Sequence, residues 1–214
     1  MKNVLKSVYR RLPYPLKALL AIFIPKIRQS LLSDPSIVRD YRKAWVDPAG
    51  YAYRMKAYEK QRKGGEKPLL ENPTVDEVRA ALQAHSPESV LEIGCGWGRL
   101  LEELYKDFKI EGCDISPDML KLCPPYLSVF EHDIAAENPD YYRQNANRWD
   151  ILFTRGVMLY IVEKPDVTLQ VMKNMSTLAQ QNILIWEWPE VCAKMQTILI
   201  DPKFEYHPIE RRDE

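Results

Sequence analysis

The run Ser89-Val90-Leu91-Glu92-Ile93-Gly94-Cys95-Gly96-Trp97-Gly98-Arg99 leaves the chain few ways to fold. Val90, Leu91 and Ile93 form the apolar, mostly β-branched stretch that a parallel strand buried on both faces requires. Glycines interrupt it at 94, 96 and 98, and Leu100, Leu101, Leu104 and Tyr105 then recur at helical offsets. The spacing predicts strand, tight turn, helix. Such a turn sets free helix N–H groups beside a backbone that a ligand can approach closely, a cradle suited to a carboxylate or phosphate. Glu92 lies inside the strand, where a carboxylate needs a positive or hydrogen-bonding partner. A loop amide is the plain structural alternative for it.

A dinucleotide fingerprint would place its third glycine at position 99, where Arg99 stands. That spacing argues against a nicotinamide-dependent oxidoreductase on a related sheet. Residues Phe108 to Cys113 read as a second strand closed by Asp114, 20 residues past Gly94, the distance of an acid that grips ribose hydroxyls. Ser116, Pro117 and Asp118 supply an N-cap, a proline at the first helical position and an acid in the first turn, so a helix starts there. A third strand, Leu127 to Phe130, leads to Glu131-His132-Asp133-Ile134, and a fourth strand with its loop covers Trp149 to Met158. A helix is expected over Asp166 to Leu178 and a fifth strand over Asn182 to Trp188.

This ordered set, from about Ser89 to Trp188, resembles the class I S-adenosylmethionine-dependent methyltransferases. The resemblance implies an α/β, doubly wound, mostly parallel Rossmann-like sheet with helices on both faces, and S-adenosylmethionine as cofactor. It implies that Asp114 holds the ribose, that Ile115 lines the adenine, and that Asp133 meets the adenine amino group beside the backbone of Ile134. Glu131 competes with Asp133 for that role. Glu92, Gly94, Cys95, Gly96, Gly98 and Met119 complete the expected cofactor contacts, with Arg155 and Gly156 in the loop where acceptor meets methyl group. The family's closing antiparallel pair of strands is a departure: 26 residues follow Trp188, of which Val191 to Ile200 look helical and Lys203 to Ile209 could form one strand. The edge is then shortened, or covered by the N-terminal arm or by a second subunit in a homodimer. Cys123-Pro124-Pro125-Tyr126 resembles a motif of amino-group methyltransferases, but it precedes the third strand instead of following the fourth, and is rejected.

The chain divides into an N-terminal helical arm and lid over residues 1–68 and a cofactor-binding domain over residues 69–214. Residues 1–32 are basic and apolar, with Lys2, Lys6, Arg10, Arg11, Lys17, Lys26 and Arg28 ahead of the first acid, Asp34. Leu16 to Ile24 is too short for a bilayer span of about 20 residues. The arm either packs on its own domain, the favoured reading, or makes peripheral membrane contact with Leu19, Leu20, Ile22, Phe23 and Ile24 inserted. Asp34-Pro35 and Asp47-Pro48 open two more helical patterns, the second carrying Tyr51, Tyr53, Met55 and Tyr58, which in the resembling family would close over the acceptor. Arg62 to Pro68 reads as a connecting loop, and Thr74 with Glu77 matches a capping box.

Charge is balanced, 30 basic against 30 acidic residues, which argues against a nucleic-acid partner. Cys95, Cys113, Cys123 and Cys192 show no metal-ligand spacing, and His85, His132 and His207 are scattered, so no metal is expected. Reduced thiols suit a cytoplasmic protein, membrane-associated if the arm binds lipid. The expected activity is methyl transfer to an oxygen or nitrogen of a small, hydrophobic molecule. An acceptor that must lose a proton would use Glu187, Tyr160 or His207 as base. Trp186-Glu187-Trp188 sets a carboxylate between two indoles at the expected pocket mouth. The non-enzymatic alternative is a cofactor-binding or membrane-recruited scaffold module of the same fold.

Overall fold

A computed structural model describes residues 74–187 and 189–198 of the 214-residue chain. The arm and lid over 1–68, Trp188, His207 and the strand expected over 203–209 lie outside the described residues. Helix α1 spans Val75–His85 and starts at the anticipated capping box, in which Thr74 Oγ1 accepts from Glu77 N at 3.2 Å and Glu77 Oε2 accepts from Thr74 N at 2.6 Å. Strand β1 (Val90–Ile93), helix α2 (Arg99–Leu104), strand β2 (Ile110–Asp114), helix α3 (Pro117–Leu120) and strand β3 (Ser128–Glu131) follow. Helix α4 (Pro139–Gln144), strand β4 (Trp149–Arg155), a short 3-10 turn (Met158–Tyr160), helix α5 (Pro165–Leu178), strand β5 (Ala179–Trp186) and helix α6 (Pro189–Ile198) complete the described chain.

All strand pairs are parallel, in the order β3-β2-β1-β4-β5. Crossovers that return a chain to a parallel neighbour must run over the sheet faces, and here they cover both. Val90, Ile110, Ile151 and Phe153 point to one face, against Val78 and Leu82 of α1 and Leu100, Leu101 and Leu104 of α2. Leu91, Ile93 and Leu152 point to the other, against Val171, Met172, Met175 and Leu178 of α5 and Met195 of α6. Every residue from Trp149 to Thr154 is buried, as the central strand of a two-faced parallel sheet demands.

Strand β5 begins at Ala179, three residues before the expected Asn182. Gln180 and Gln181 are exposed, carry no hydrophobic period, and fall at a register shift between Ala179, which pairs with Trp149, and Asn182, which pairs with Ile151. Strand β2 starts at Ile110, later than the expected Phe108, which packs instead at the edge of the α1/α2 core. No antiparallel strand occurs among the described residues, and none of their helices is long and apolar enough to cross a membrane.

The opposite end of the sheet from the glycine turn is laced by carboxylates. Asp150 accepts from the amides of Glu88 and Ser89 at 2.6 and 3.1 Å, tying the start of β4 to the start of β1. Glu111 accepts from Trp149 Nε1 at 2.8 Å, Arg148 Nη2 at 3.0 Å and Ser128 Oγ at 3.2 Å, joining β2, β3 and β4.

Candidate functional site

Parallel strands deliver their C-terminal ends to one edge, and the expected site residues of β1, β2, β3 and β4 collect there. The turn after β1 wraps over the end of β2: Gly94 N and Cys95 N both donate to the Cys113 carbonyl, at 2.8 and 3.0 Å. Gly94 has φ +75°, and a Cβ on it would stand 2.3 Å from Val157 Cγ2, so this position admits glycine on two counts. Gly98, also left-handed, caps α2. Gly112 plays a role that the motif spacing does not reveal. A Cβ there would lie 2.4 Å from Leu101 Cδ1 and 2.9 Å from Cys95 Sγ, so its bare backbone lets α2 settle directly on β2.

Asp114 closes β2, its Oδ2 accepting from Gly96 N and its Oδ1 from Ser116 N, each at 2.8 Å. One carboxylate thereby fixes both the glycine turn and the start of α3. Each oxygen keeps a lone pair for a further donor. Burial raises its pKa, and the amides of Ser116, Gly96 and Ile115 oppose that rise. Ile115 is half-buried beside it. Met119 is 1% exposed, with Cε 3.4 Å from where a Gly96 Cβ would stand, and so supports the turn from beneath. Cys95 is likewise buried and offers the site its backbone, with its amide already given to Cys113.

Asp114 and Glu131 are register partners, so Asp133 follows two residues past Asp114's neighbour on the adjacent strand. Asp133 is half-buried, with Oδ1 accepting from Ala135 N at 3.0 Å, whereas Glu131 is exposed. Ile134 is buried and its carbonyl takes two donors, Asn174 Nδ2 at 2.7 Å and Tyr142 Oη at 3.1 Å. Tyr142 has a single proton, spent on that carbonyl, so His132 Nε2, 3.1 Å from Tyr142 Oη, is the donor to it. This network pins the loop after β3. Its members lie 8 and 40 residues from Ile134, a separation at which no local sequence signal connects them.

On the α1/α2 face Glu92 pairs in register with Gly112 and Phe153, which sets it one step before Asp114 and Arg155. Glu92 is 4% exposed, and burial pushes its pKa from 4.5 up to about 8, with Arg155 opposing and Asp114 reinforcing the rise. The fourth strand ends in Arg155 and Gly156, whose amide donates to the Trp186 carbonyl at 3.1 Å. Glu187 follows β5 and reaches back across the sheet, its Oε1 accepting from Met158 N at 2.5 Å at the start of the 3-10 turn. Burial raises its pKa to about 7 against the amides of Met158, Val157 and Leu159. Tyr160 ends that turn, half-buried against the α5 core.

Buried polar atoms in folded proteins have partners, and the exceptions mark places where something else supplies them. Four buried side-chain oxygens among the described residues have none: Glu92 Oε2, Thr154 Oγ1, Glu187 Oε2 and Tyr141 Oη. The first three belong to β1, β4 and the end of β5, at the same edge as the glycine turn. Thr154 is the member that sequence reasoning did not single out. With Asp114 and Asp133, this edge is rich in carboxylates and unmet acceptors, which suits a cationic ligand bearing hydroxyl and amino donors. S-adenosylmethionine is such a ligand, and the turn, the free lone pairs of Asp114 and the orphaned oxygen of Glu92 fit it. No group of side chains that could hold a metal ion occurs among the described residues.

A family described as Methyltransferase domain matches residues 90–182. Among solved structures, a TehB-like S-adenosylmethionine-dependent methyltransferase from Corynebacterium glutamicum is similar at 18% identity and TM-score 0.50, over 71% of this chain and 83% of that one. The amino pentose methyltransferase CalS10 from Micromonospora echinaspora gives 20% identity and TM-score 0.48 over 63% of this chain and 58% of its own. The methyltransferase domain of bacterial CtHen1 gives 21% and 0.43 over 52% and 63%. The chain thus spans about three-fifths of the length of these last two. Residues 90–182 match a methyltransferase domain, and the fold they adopt is the one seen in an S-adenosylmethionine-dependent methyltransferase.

Proposed function

We propose that this protein transfers a methyl group from S-adenosylmethionine to an oxygen or nitrogen of a small, hydrophobic molecule. One observation carries the reading: three of the four orphaned buried oxygens stand at the edge that also bears the glycine turn and Asp114. When bound, the cofactor supplies a methyl carbon already made electrophilic by its sulfonium. The protein therefore has to bind, align and exclude water. Asp114 holds ribose hydroxyls with its remaining lone pairs, the loop pinned at Ile134 presents Asp133 to the adenine, and Glu92 faces the cationic methionyl end.

Glu187 is the favoured base for an acceptor that must lose a proton. It has an oxygen free of protein donors and a pKa of about 7, where a base can both take and release a proton. Tyr160 on the adjoining turn and His207 are the alternatives. Support for a hydrophobic acceptor comes from the sequence: the apolar stretch at 16–24 and the aromatic segment Tyr51 to Tyr58. The flanking bases of the former also support peripheral membrane contact.

Calorimetry with S-adenosylmethionine and with its demethylated product tests the reading, and saturable binding of both is expected. Asp114→Ala should weaken both roughly tenfold to a hundredfold, the cost of losing charge-assisted hydrogen bonds. Wild-type protein that binds neither refutes the proposal. Transfer of label from the cofactor into a small-molecule extract separates an enzyme from a cofactor-binding scaffold.

A further inference from the structure

Two of the four cysteines meet at the glycine turn. Cys95 is buried within it, and Cys123, three residues past the end of α3, is half-buried. Both thiols face one acceptor, the Gly96 carbonyl oxygen, 3.8 Å from Cys95 Sγ and 3.5 Å from Cys123 Sγ. Cys123 Sγ lies 3.2 Å from where a Cβ on Gly98 would stand, so the pair bridges the turn and the segment after α3. Methyl transfer as derived above uses neither sulfur. The other two cysteines are placed differently: Cys113 is buried in β2, and Cys192 on α6 donates to the Glu187 carbonyl at 3.7 Å.

We infer that Cys95 and Cys123 form a redox-modification site, in which a peroxide converts the two thiols into a disulfide across the glycine turn and thereby lowers affinity for S-adenosylmethionine. The two sulfurs are unequal. The nearness of the two thiols lowers the pKa of the more exposed Cys123, while that nearness and burial raise the pKa of Cys95. Thiolate character and access select the attacking sulfur, so Cys123 reacts first. Its sulfur bonds to one peroxide oxygen as the O–O bond breaks, leaving a sulfenic acid and a hydroxide. The hydroxide takes the Cys95 proton and leaves as water. Cys95 sulfur then attacks the sulfenic sulfur, the S–S bond forms, and the S–O bond breaks to release hydroxide, which takes from solvent the proton that Cys123 had shed and becomes a second water. Two thiols are oxidised by two electrons and one peroxide is reduced to two waters.

A disulfide requires the sulfurs about 2.0 Å apart. Both must leave the Gly96 carbonyl, and Cys123 must draw in on a turn that already has Leu127 and Cys123 against Gly98. The left-handed turn is displaced from the geometry that receives the cofactor. The effect on affinity rests on the proposed function, whereas formation of the bond does not.

The test uses the full chain, reduced or treated with hydrogen peroxide, with peptide mapping under non-reducing conditions and calorimetric titration of S-adenosylmethionine. The expected result is a Cys95–Cys123 linked peptide, with Cys113 and Cys192 still thiols, and an affinity lower by roughly tenfold that a dithiol reductant restores. Cys123→Ser should bind like the reduced wild type and become insensitive to peroxide, while Cys192→Ser should stay sensitive. Absence of the linked peptide overturns the inference, as does a linked protein whose affinity equals that of the reduced form. Reduced protein that fails to bind the cofactor refutes the functional reading instead, and peptide mapping still decides whether the pair forms.

Discussion

Glu92→Gln should make the ligand-free protein more stable, and increasingly so as pH rises. In the fold the carboxyl is buried with Oε2 unpartnered, and its pKa moves from 4.5 to about 8. The folded protein therefore keeps this proton between those limits while the unfolded chain releases it. Unfolding releases a proton, so stability falls with rising pH throughout that window. Each pH unit costs ~1.4 kcal/mol, which accumulates to about 3 kcal/mol at pH 7. Glutamine matches the protonated side chain in shape and never ionises, so it removes this cost.

Asp114 and Glu187 impose the same trend on both proteins, and only the difference between the two isolates Glu92. Denaturant unfolding from about pH 5 to about pH 8 is the assay, with the two curves expected to diverge toward high pH. Parallel curves, or a variant less stable than the wild type at the alkaline end, refute the reasoning. The same variant should bind S-adenosylmethionine more weakly, because the carboxylate that a cation would draw out of the protonated state is gone.

Gly94→Ala should destabilise more than Gly96→Ala. Both force a left-handed residue at about 1–2 kcal/mol, but the new methyl meets Val157 Cγ2 at 2.3 Å in the first and only the flexible end of Met119 at 3.4 Å in the second. Adding Val157→Ala should recover part of the loss for Gly94→Ala alone, as read by unfolding midpoints. Asn174→Ala removes the donors to Ile134 and Ala136 and should cost about 1–3 kcal/mol. It should raise the KM for cofactor while leaving kcat near the wild-type value. For Glu187, the rate of a reaction that needs a base should rise with pH and level off above about 7, since the carboxylate is the active form. Glu187→Gln should flatten that profile, and an unchanged profile would remove Glu187 from the role.

The glycine turn, the acid at 114 and the helix starts at Thr74 and Ser116 were legible because each is written within a few residues. Caps, positive-φ turns and buried strands act locally. What stayed hidden depends on contacts between distant segments. The need for glycine at 112 arises from Leu101 and Cys95 arriving overhead, and the pinning of Ile134 from Asn174 on another helix. Glu187 was picked out between its indoles, yet its hold on Met158 spans 29 residues and shows only when β4 and β5 lie side by side. Thr154 read as one more strand residue until its hydroxyl was seen to lack a partner.

The bare backbone of Gly112 has a mechanical meaning. With Leu101 seated on it and no side chain between, α2 can neither slide along β2 nor lift from it without opening a void. The glycine turn rests on β2 as on an anvil. Under the proposed function, any adjustment to a different acceptor then falls to segments away from this contact, while the turn keeps its shape.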